Sequence, residues 1–306
     1  MSAASAIHIN IFGPHAIVVH GSAEQKARWL PGLISGEWIS CFGVTEPDVG
    51  LDTTRITTRA VKDGKYYIIN GRKIWTSTAQ NASKMLLVAR TSPLEECANP
   101  IDGLSLFYTD LDRDYCEVRE IPKMGRKAVD SNTVFIDGLR VSEDDRIGEE
   151  GRGFRYLLDS LNPERVLIAA EGIGIGRSAL ERAAKYAGER KVFGRPLGQN
   201  QSIQHPLAVS WCELEAAWLV TMQAAWLYDT RLDCGAHANA AKFLAGEAGF
   251  KACERAVMSH GGMGYAKEFH VERLLREVLI CRIAPVTPHL ILSHIAERVL
   301  DVPKSY

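Results

Sequence analysis

The sequence pattern changes from β-strand to helical near residue 150, and this change constrains the fold more than any other feature. Across residues 38–141, short apolar runs alternate with Gly, Pro, Asp and Asn, which is typical of β-strands joined by turns. From residue 151 onward, Gly and Pro become rarer and apolar residues recur at helical spacing, as at Val166, Ala169 and Ile173. The pattern predicts a β-rich domain followed by a bundle of helices.

We therefore expect an α+β fold: a central β-barrel-like domain, a C-terminal four-helix bundle and a short helical segment before the first strand. The predicted domains are residues 1–37, 38–148 and 149–306. The predicted strands are 56–61, 65–70, 85–89, 104–109, 117–121 and 133–136, with turns expected at Asp63-Gly64 and Asn70-Gly71. The predicted helices are 3–20, 22–35, 163–187, 203–232, 238–259, 271–279 and 288–299.

Composition and charge argue against a nucleic-acid-binding protein. The 306 residues are 46% hydrophobic and 24% charged, which is enough for two domains with a sizeable core. The 36 Lys and Arg balance 37 Asp and Glu, and no basic block is present that would neutralise a phosphate backbone. We therefore expect no nucleic-acid partner.

The cysteines indicate the compartment. The chain has seven cysteines, an odd number, and they are scattered without a Cys-x-x-Cys pair. Neither a metal site nor a disulfide framework is therefore expected. Reduced thiols predict a cytoplasmic protein. No apolar run approaches the roughly 20 residues of a membrane span, and the N-terminus does not have the pattern of a signal peptide.

Two short strings indicate a flavin site. They are VTEPDVG at residues 44–50 and KIWTS at residues 73–77. An isoalloxazine ring needs hydroxyl and N–H groups at its polar edge and an aromatic wall against its face. Thr45, Ser77 and Trp75 supply that set, although each string taken alone also fits a strand end or a core tryptophan.

These strings resemble motifs of the acyl-CoA dehydrogenase family. Further strings follow in family order, namely NPER at 162–165, ERKVFG at 189–194, Gln201 and HGGMGY at 260–265. Because family members usually begin with a longer helical domain, the resemblance implies that residues 1–37 are the remnant of such a domain and that the chain is N-terminally truncated.

The resemblance implies FAD as the cofactor, an acyl-CoA thioester as the substrate, an electron-transfer flavoprotein as the electron acceptor, and a homodimer or homotetramer. The implied FAD contacts are Phe42, Val44, Thr45, Gly50, Trp75, Ser77, Arg190, Phe193, Gln201, Gly261, Gly262, Thr287 and His289. The implied substrate contacts are Leu51, Asn162, Arg165 and Pro285. Arg190 and Phe193 also fit an ordinary surface cation and a core residue, and Gly261-Gly262 also fits a helix end.

Glu164 is the candidate for the base that removes the α-proton. In one branch of the family the base lies near the C-terminus, where this chain has Pro285. A second branch, which includes isovaleryl- and long-chain acyl-CoA dehydrogenases, carries a glutamate just before an arginine at the start of a bundle helix, and Glu164 matches it. Pro163 predicts a helix start, so Glu164 is expected in its first turn. Arg165 either holds CoA or pairs with Glu164.

Pro285 also removes a backbone N–H that family enzymes use to polarise the thioester carbonyl, so the N–H of Ala284 or Val286, or another partner of the ribityl hydroxyl, is expected to replace it. Leu51 and Met258 replace polar residues usual in the family. The leading interpretation is an FAD-dependent acyl-CoA dehydrogenase. An acyl-CoA oxidase of the same fold, a flavin-binding scaffold without catalysis and an unrelated binding module stay open as alternatives.

Overall fold

The computed structural model describes residues 2–305. Its backbone divides after Leu161 into two compact units, a sheet with two helices and a set of helices. The predicted α+β class, with a β-rich region followed by helices, is confirmed. The predicted domain boundaries at residues 37 and 148 stay predictions.

The first unit is built on one mixed sheet of eight strands. Two helices precede it, α1 Ser2–His20 and α2 Ala23–Ser35. The strands are β1 Ser40–Gly43, β2 Arg59–Asp63, β3 Tyr66–Ser77, β4 Lys84–Arg90, β5 Leu104–Asp110, β6 Cys116–Glu120, β7 Ser131–Ser142 and β8 Arg146–Ile147. Their order is β6-β7-β3-β2-β4-β5-β8, and β1 pairs in parallel with β4.

The middle of this sheet is buried on both faces. Along β4, Met85 and Leu87 belong to one apolar cluster with Tyr67 and Phe107, because alternate side chains point to opposite faces. Leu86 and Val88 belong to a second cluster, which contains Trp29 of α2 and Ala16 and Ile17 of α1. The helices therefore cover one face, and this explains why β4 reads as a continuous apolar run.

One predicted turn is absent. Asp63-Gly64 does join β2 to β3, but Asn70-Gly71 lies inside β3, where the pairing with β7 shifts register. A Cβ on Gly71 would lie 2.4 Å from Oγ1 of Thr58, so the glycine serves the close approach of a neighbouring segment.

The second unit is helical. It contains most of α3 Gly153–Glu189, then a hairpin of β9 Lys191–Val192 and β10 Arg195–Pro196. The following helices are α4 Gln201–Asp229, α5 Gly235–His260, α6 Gly262–Tyr265, α7 Val271–Ile283 and α8 Pro288–Arg298.

The predicted start of α3 at Pro163 is wrong. The helix begins ten residues earlier and continues through Pro163, whose missing N–H and ring usually disfavour a helix interior. Phe154 and Leu157 of the early turns are buried in the second apolar cluster of the sheet unit. This tertiary packing outweighs the local effect of the proline.

Glycines allow three helices of the second unit to approach closely. A Cβ on Gly249 of α5 would lie 2.5 Å from the carbonyl oxygen of Gly172 in α3, and one on Gly246 would lie 2.8 Å from that of Cys281 in α7. Side chains at these positions would push the backbones apart. The glycines therefore fix the spacing of α3, α5 and α7.

One stretch, Val271–Arg298, is long and apolar enough by composition to cross a membrane, since it contains an 18-residue window with a mean hydropathy of 1.5. The structure divides it into α7 and α8, with residues 284–287 between them. Irregular backbone is unfavourable in lipid because its polar groups lack partners there. We therefore interpret this stretch as two helices of the bundle.

The glycine contacts predict opposite effects for two Gly→Ala substitutions. Gly249→Ala is expected to lower the free energy of unfolding by about 1–3 kcal/mol because its Cβ meets backbone. Gly174→Ala, at an exposed position of α3 with no atom within 4 Å of the new Cβ, is expected to raise it by about 0.5–1 kcal/mol. Urea unfolding of both variants measures this difference, and equal effects would contradict the packing described here.

Candidate functional site

The two strings of the β-rich unit lie side by side. The backbone N–H of Ile74 donates to the carbonyl oxygen of Thr45 at 2.9 Å. The Lys73 ammonium donates to the carbonyl oxygen of Val44 at 3.1 Å. The structure thus brings Thr45, Trp75 and Ser77, which are far apart in sequence, onto neighbouring segments.

A buried ion pair holds these segments together. The Lys73 ammonium lies 2.9 Å from Oε1 of Glu46, and their side chains are 0% and 4% exposed. Glu46 also accepts hydrogen bonds from the backbone N–H and the hydroxyl of both Thr57 and Thr58, at 2.5–2.9 Å. The carboxylate therefore accepts five hydrogen bonds, as an anion in a dry environment requires.

The pKa values of the pair reflect these contacts. Burial raises the pKa of Glu46, but the Lys73 charge and the hydrogen bonds outweigh it and bring that pKa down to about 2. Burial lowers the pKa of Lys73, and the attraction of Glu46 opposes this shift. Glu46 is consequently an anion at neutral pH and is unsuited to accept a proton.

Trp75 is held in a strained conformation next to this pair. Its φ is +60°, and the register of β3 with β7 shifts between Lys73 and Thr76. A left-handed conformation costs a non-glycine residue about 1–3 kcal/mol and is concentrated at functional sites. The strain leaves the indole 55% exposed while Thr76 is fully buried.

The exposed groups beside Trp75 fit a flat aromatic ligand. Thr45 and Ser77 are half-buried and offer hydroxyl groups, and Trp75 offers a ring face. A Cβ on Gly50 would meet no atom within 4 Å, so the space beside it is open. Val44 is buried, and Leu51 is 60% exposed. Phe42 lies in β1 and is half-buried.

In the helical unit, Glu164 lies in the middle of α3 and is only 8% exposed. Its expected position in the first turn of a helix is therefore wrong. The charges that act on the buried carboxylate come from neighbouring side chains. The charge of Glu164 acts on two cations, Arg165 and Lys242.

The guanidinium of Arg165 is oriented by a hydrogen bond to the side chain of Asn162. Its guanidinium donates through Nη1 to Oδ1 of Asn162 at 2.8 Å. Its buried Nε has no hydrogen-bond partner in the described part of the chain. Burial lowers the pKa of Arg165, and the negative charge of Glu164 opposes the shift.

Lys242 of α5 is 1% exposed, and its ammonium donates to the carbonyl oxygen of Arg282 at 3.0 Å. Sequence reasoning missed this residue. The signal was present, because Lys242 occurs at the buried spacing of Ala238, Ala241 and Ala245 along one helix face. Burial lowers its pKa to about 8.

Three predicted residues lie close together after α7: Pro285 and Thr287 in the segment between α7 and α8, and His289 in α8. The Ala284–Pro285 peptide is cis, and the N–H of Ala284 donates to the carbonyl oxygen of Ile280 at 2.9 Å. Thr287 caps α8, because its Oγ1 accepts the N–H of Leu290 at 3.5 Å. His289 is exposed in the first turn of α8.

The remaining predicted FAD contacts lie on the surface of the helical unit. Phe193, at the tip of the β9–β10 hairpin, is 99% exposed with a φ of +52°. Arg190 and Gln201 are exposed. Gly261 and Gly262 are exposed at the end of α5, and a Cβ on either would meet no atom within 4 Å. This chain alone gives Phe193 no packing role, which favours a contact outside it.

Comparison with known proteins decides the family. Sequence profiles of the acyl-CoA dehydrogenase N-terminal, middle and C-terminal domains match residues 1–37, 41–139 and 151–300. The chain belongs to the acyl-CoA dehydrogenase family. It is therefore an oxidoreductase and a flavoprotein by family.

Two curated relatives support this result. Acyl-CoA dehydrogenase fadE12 of Mycobacterium bovis is 37% identical over 299 residues, which cover 95% of this chain and 74% of that protein. The caffeyl-CoA reductase-Etf complex subunit CarC of Acetobacterium woodii is 33% identical over 268 residues, which cover 87% of this chain and 69% of that protein.

Solved structures of the family superpose over almost the whole chain. Butyryl-CoA dehydrogenase of Megasphaera elsdenii has a TM-score of 0.93 at 27% identity, covering 98% of this chain and 78% of that one. The FAD complex of PigA has a TM-score of 0.90 at 26% identity, covering 96% and 76%. Within residues 2–305, no group of three or more His, Cys, Asp or Glu side chains could hold a metal ion.

The Glu46–Lys73 pair predicts a large loss of stability when one partner is removed. Glu46→Gln or Lys73→Met is expected to lower the free energy of unfolding by about 3–5 kcal/mol, because each leaves a buried charge unpaired. The double variant is expected to lose less than the sum, and urea unfolding of all three measures the coupling.

A matched control is the exposed pair of Arg72 and Asp48, 3.4 Å apart on the same two segments. Asp48→Asn is expected to leave stability unchanged.

In wild-type protein, the stabilisation from Glu46 is fully present above pH 4.5 and is lost as the pH falls toward 2, because its pKa is lowered on folding. Additive effects of the two core substitutions would contradict the pairing.

Proposed function

We propose that this chain is an FAD-dependent acyl-CoA dehydrogenase in which Glu164 removes the α-proton of a fatty acyl thioester. The buried position of the Glu164 carboxylate, with Arg165 and Lys242 acting on it, carries this proposal. Bound FAD would supply the acceptor for the hydride from the β-carbon. Membership of the family supports the reaction class.

Glu164 would act as a general base. An α-proton next to a thioester is weakly acidic, so its base needs a protected carboxylate that is ionised before the reaction. The carboxylate takes the proton and becomes a neutral acid, which the buried surroundings favour. The two neighbouring cations, Arg165 and Lys242, favour the ionised carboxylate that a general base needs before the reaction.

The carbonyl of the thioester would be polarised by a backbone N–H. Pro285 has none, and the N–H of Ala284 is already donated to Ile280. The N–H of Val286 makes no hydrogen bond within the described chain, so of the two alternatives we assign it this role. Arg165 would hold part of CoA, together with Asn162.

The candidate cofactor contacts of each unit, taken by itself, are different groups. In the sheet unit these are Trp75, Thr45 and Ser77, with backbone of Phe42 and Val44 and open space at Gly50. In the helical unit they are Arg190, Phe193, Gln201, Gly261, Gly262, Thr287 and His289. Arginine suits a pyrophosphate because it can bind two oxygens at once.

We further propose an electron-transfer flavoprotein as the acceptor and a homo-oligomer as the working form. The name of CarC, a subunit of a complex with Etf, supports the first. An apolar stripe on α4 supports the second, because Trp211, Leu219, Met222 and Trp226 are 47–68% exposed. The seven free cysteines support a cytoplasmic location.

Substitution of Glu164 tests the reaction. Glu164→Gln is expected to lower the rate of anaerobic flavin bleaching by acyl-CoAs at least ~10²-fold, because the base is lost while flavin stays bound. The measurement is the flavin spectrum during titration with a panel of acyl-CoAs. Admission of oxygen to the wild-type reaction then separates a dehydrogenase from an oxidase, which would form hydrogen peroxide.

Glu181→Gln is the matched control, because Glu181 lies exposed on the same helix. It is expected to react at the wild-type rate. Unchanged bleaching in Glu164→Gln would remove Glu164 from this role, and no bleaching of wild type by any acyl-CoA would refute the dehydrogenase.

The role of Val286 has its own test. Val286→Pro is expected to lower kcat about 10²-fold because it removes one donor to the carbonyl oxygen, whereas Val286→Ala keeps the N–H and is expected to keep kcat. Steady-state rates are compared after thermal melts show that both variants fold. Wild-type kcat in a folded Val286→Pro variant would exclude this N–H.

A further inference from the structure

Lys242 is a buried cation for which the flavin and substrate motifs give no role. Its side chain is 1% exposed on α5, between positions filled by alanine. Within residues 2–305, the structure gives its ammonium one hydrogen bond, to the carbonyl oxygen of Arg282. Because a buried ammonium with so few partners is costly, an apolar side chain would suit this position better if packing were its only task.

The hydrogen bond ties Lys242 to the end of α7. Arg282 is the second-last residue of that helix, and the segment with Pro285 and Val286 begins two residues later. The neighbouring turn of α5 is fixed against α7, since Gly246 leaves no room for a Cβ beside Cys281. The Lys242 hydrogen bond thus fixes the last turn of α7, directly before this segment.

Lys242 also lies in the electrostatic field of the proposed base. The groups that act on it are Glu164 and Arg165 from α3, Glu247 from its own helix and Cys281 from α7. Glu247 has a cationic partner of its own, because Nε of Arg282 donates to it at 2.7 Å.

Glu164 is placed near Lys242 by the packing of the helices. A Cβ on Gly172 would lie 3.2 Å from the carbonyl oxygen of Ala245, and one on Gly176 would lie 3.0 Å from the Cα of Gly249, so α3 and α5 run side by side in the same direction. The turn of α5 that carries Lys242 therefore lies beside the turn of α3 that follows Glu164.

We propose that Lys242 is a positioning residue for proton abstraction, which fixes the last turn of α7 and keeps the Glu164 carboxylate ionised before substrate reacts. The inference rests on the proposed function. Lys242 keeps its own proton throughout, and the α-proton passes to Glu164. Without the cation, the buried carboxylate would bind a proton at higher pH, so less of it would be ready to act.

The test isolates proton abstraction from hydride transfer. Acetyl-CoA has an α-carbon but no β-carbon, so it cannot be dehydrogenated, yet a base can exchange its α-hydrogens in D₂O. The flavin-loaded protein is incubated with acetyl-CoA, and exchange is followed by NMR between pH 5 and 9. In Lys242→Met, the acid limb of the profile is expected to move up by about one pH unit, so that exchange on this limb falls about tenfold.

Lys251→Met is the matched control, because it makes the same change on the exposed side of the same helix. It is expected to keep the wild-type profile. Lys242→Gln retains a donor without the charge and is expected to shift the limb as Lys242→Met does; it decides the question if Lys242→Met fails to fold. A changed thermal midpoint with an unmoved acid limb would reduce Lys242 to a structural residue and overturn the proposal.

Glu164→Gln in the same assay separates the two proposals. If it abolishes exchange while the Lys242 variants keep the wild-type profile, only the role of Lys242 is refuted. If Glu164→Gln exchanges like wild type, or wild type itself does not exchange, the proposed base is wrong and the role of Lys242 falls with it.

Discussion

The contact between Lys73 and Glu46 is the interaction on which the sheet unit of this protein depends. Lys73 reaches both the Glu46 carboxylate and the carbonyl oxygen of Val44, so one ammonium joins the two motif-bearing segments. The strained backbone of Trp75 follows two residues later. A strained residue persists only where its surroundings hold it, and the ion pair with its threonine hydrogen bonds provides that constraint. Trp75, 55% exposed, thus stands directly beside a buried ion pair.

In the helical unit, close packing of helices holds the buried charged groups in place. Gly172, Gly246 and Gly249 bring three helix backbones together, and the same helices carry Glu164, Lys242 and the carbonyl of Arg282. Charged groups can remain in such an interior only if their partners are placed by rigid elements. Glycine spacing and buried charge are in this way parts of one arrangement, since a wider separation of α5 from α7 would lengthen the Lys242 hydrogen bond.

Much of this could be predicted from sequence, and the errors have physical causes. The change from strand to helical spacing near residue 150 gave the fold class, and the two strings gave the neighbouring segments. Asn70-Gly71 was misread as a turn because local preference cannot show that Gly71 must pass close to Thr58. Pro163 was misread as a helix start because the burial of Phe154 and Leu157 against distant strands is absent from local sequence. Lys242 was missed because the role of a lysine at an apolar position cannot be predicted until its partner is known, and that partner, Arg282, lies 40 residues away in the sequence.

Comparison of the two buried carboxylates explains why one suits the role of base and the other does not. Glu46 accepts five hydrogen bonds, four from threonines and one from Lys73, and each stabilises the anion. A proton added there would break several of these contacts, so Glu46 stays ionised and serves structure. At Glu164, the ammonium of Lys242 is donated to a backbone carbonyl and acts on the carboxylate only through its field. Protonation of Glu164 therefore breaks no hydrogen bond to Lys242, and this difference from Glu46 suits Glu164 to the role of base.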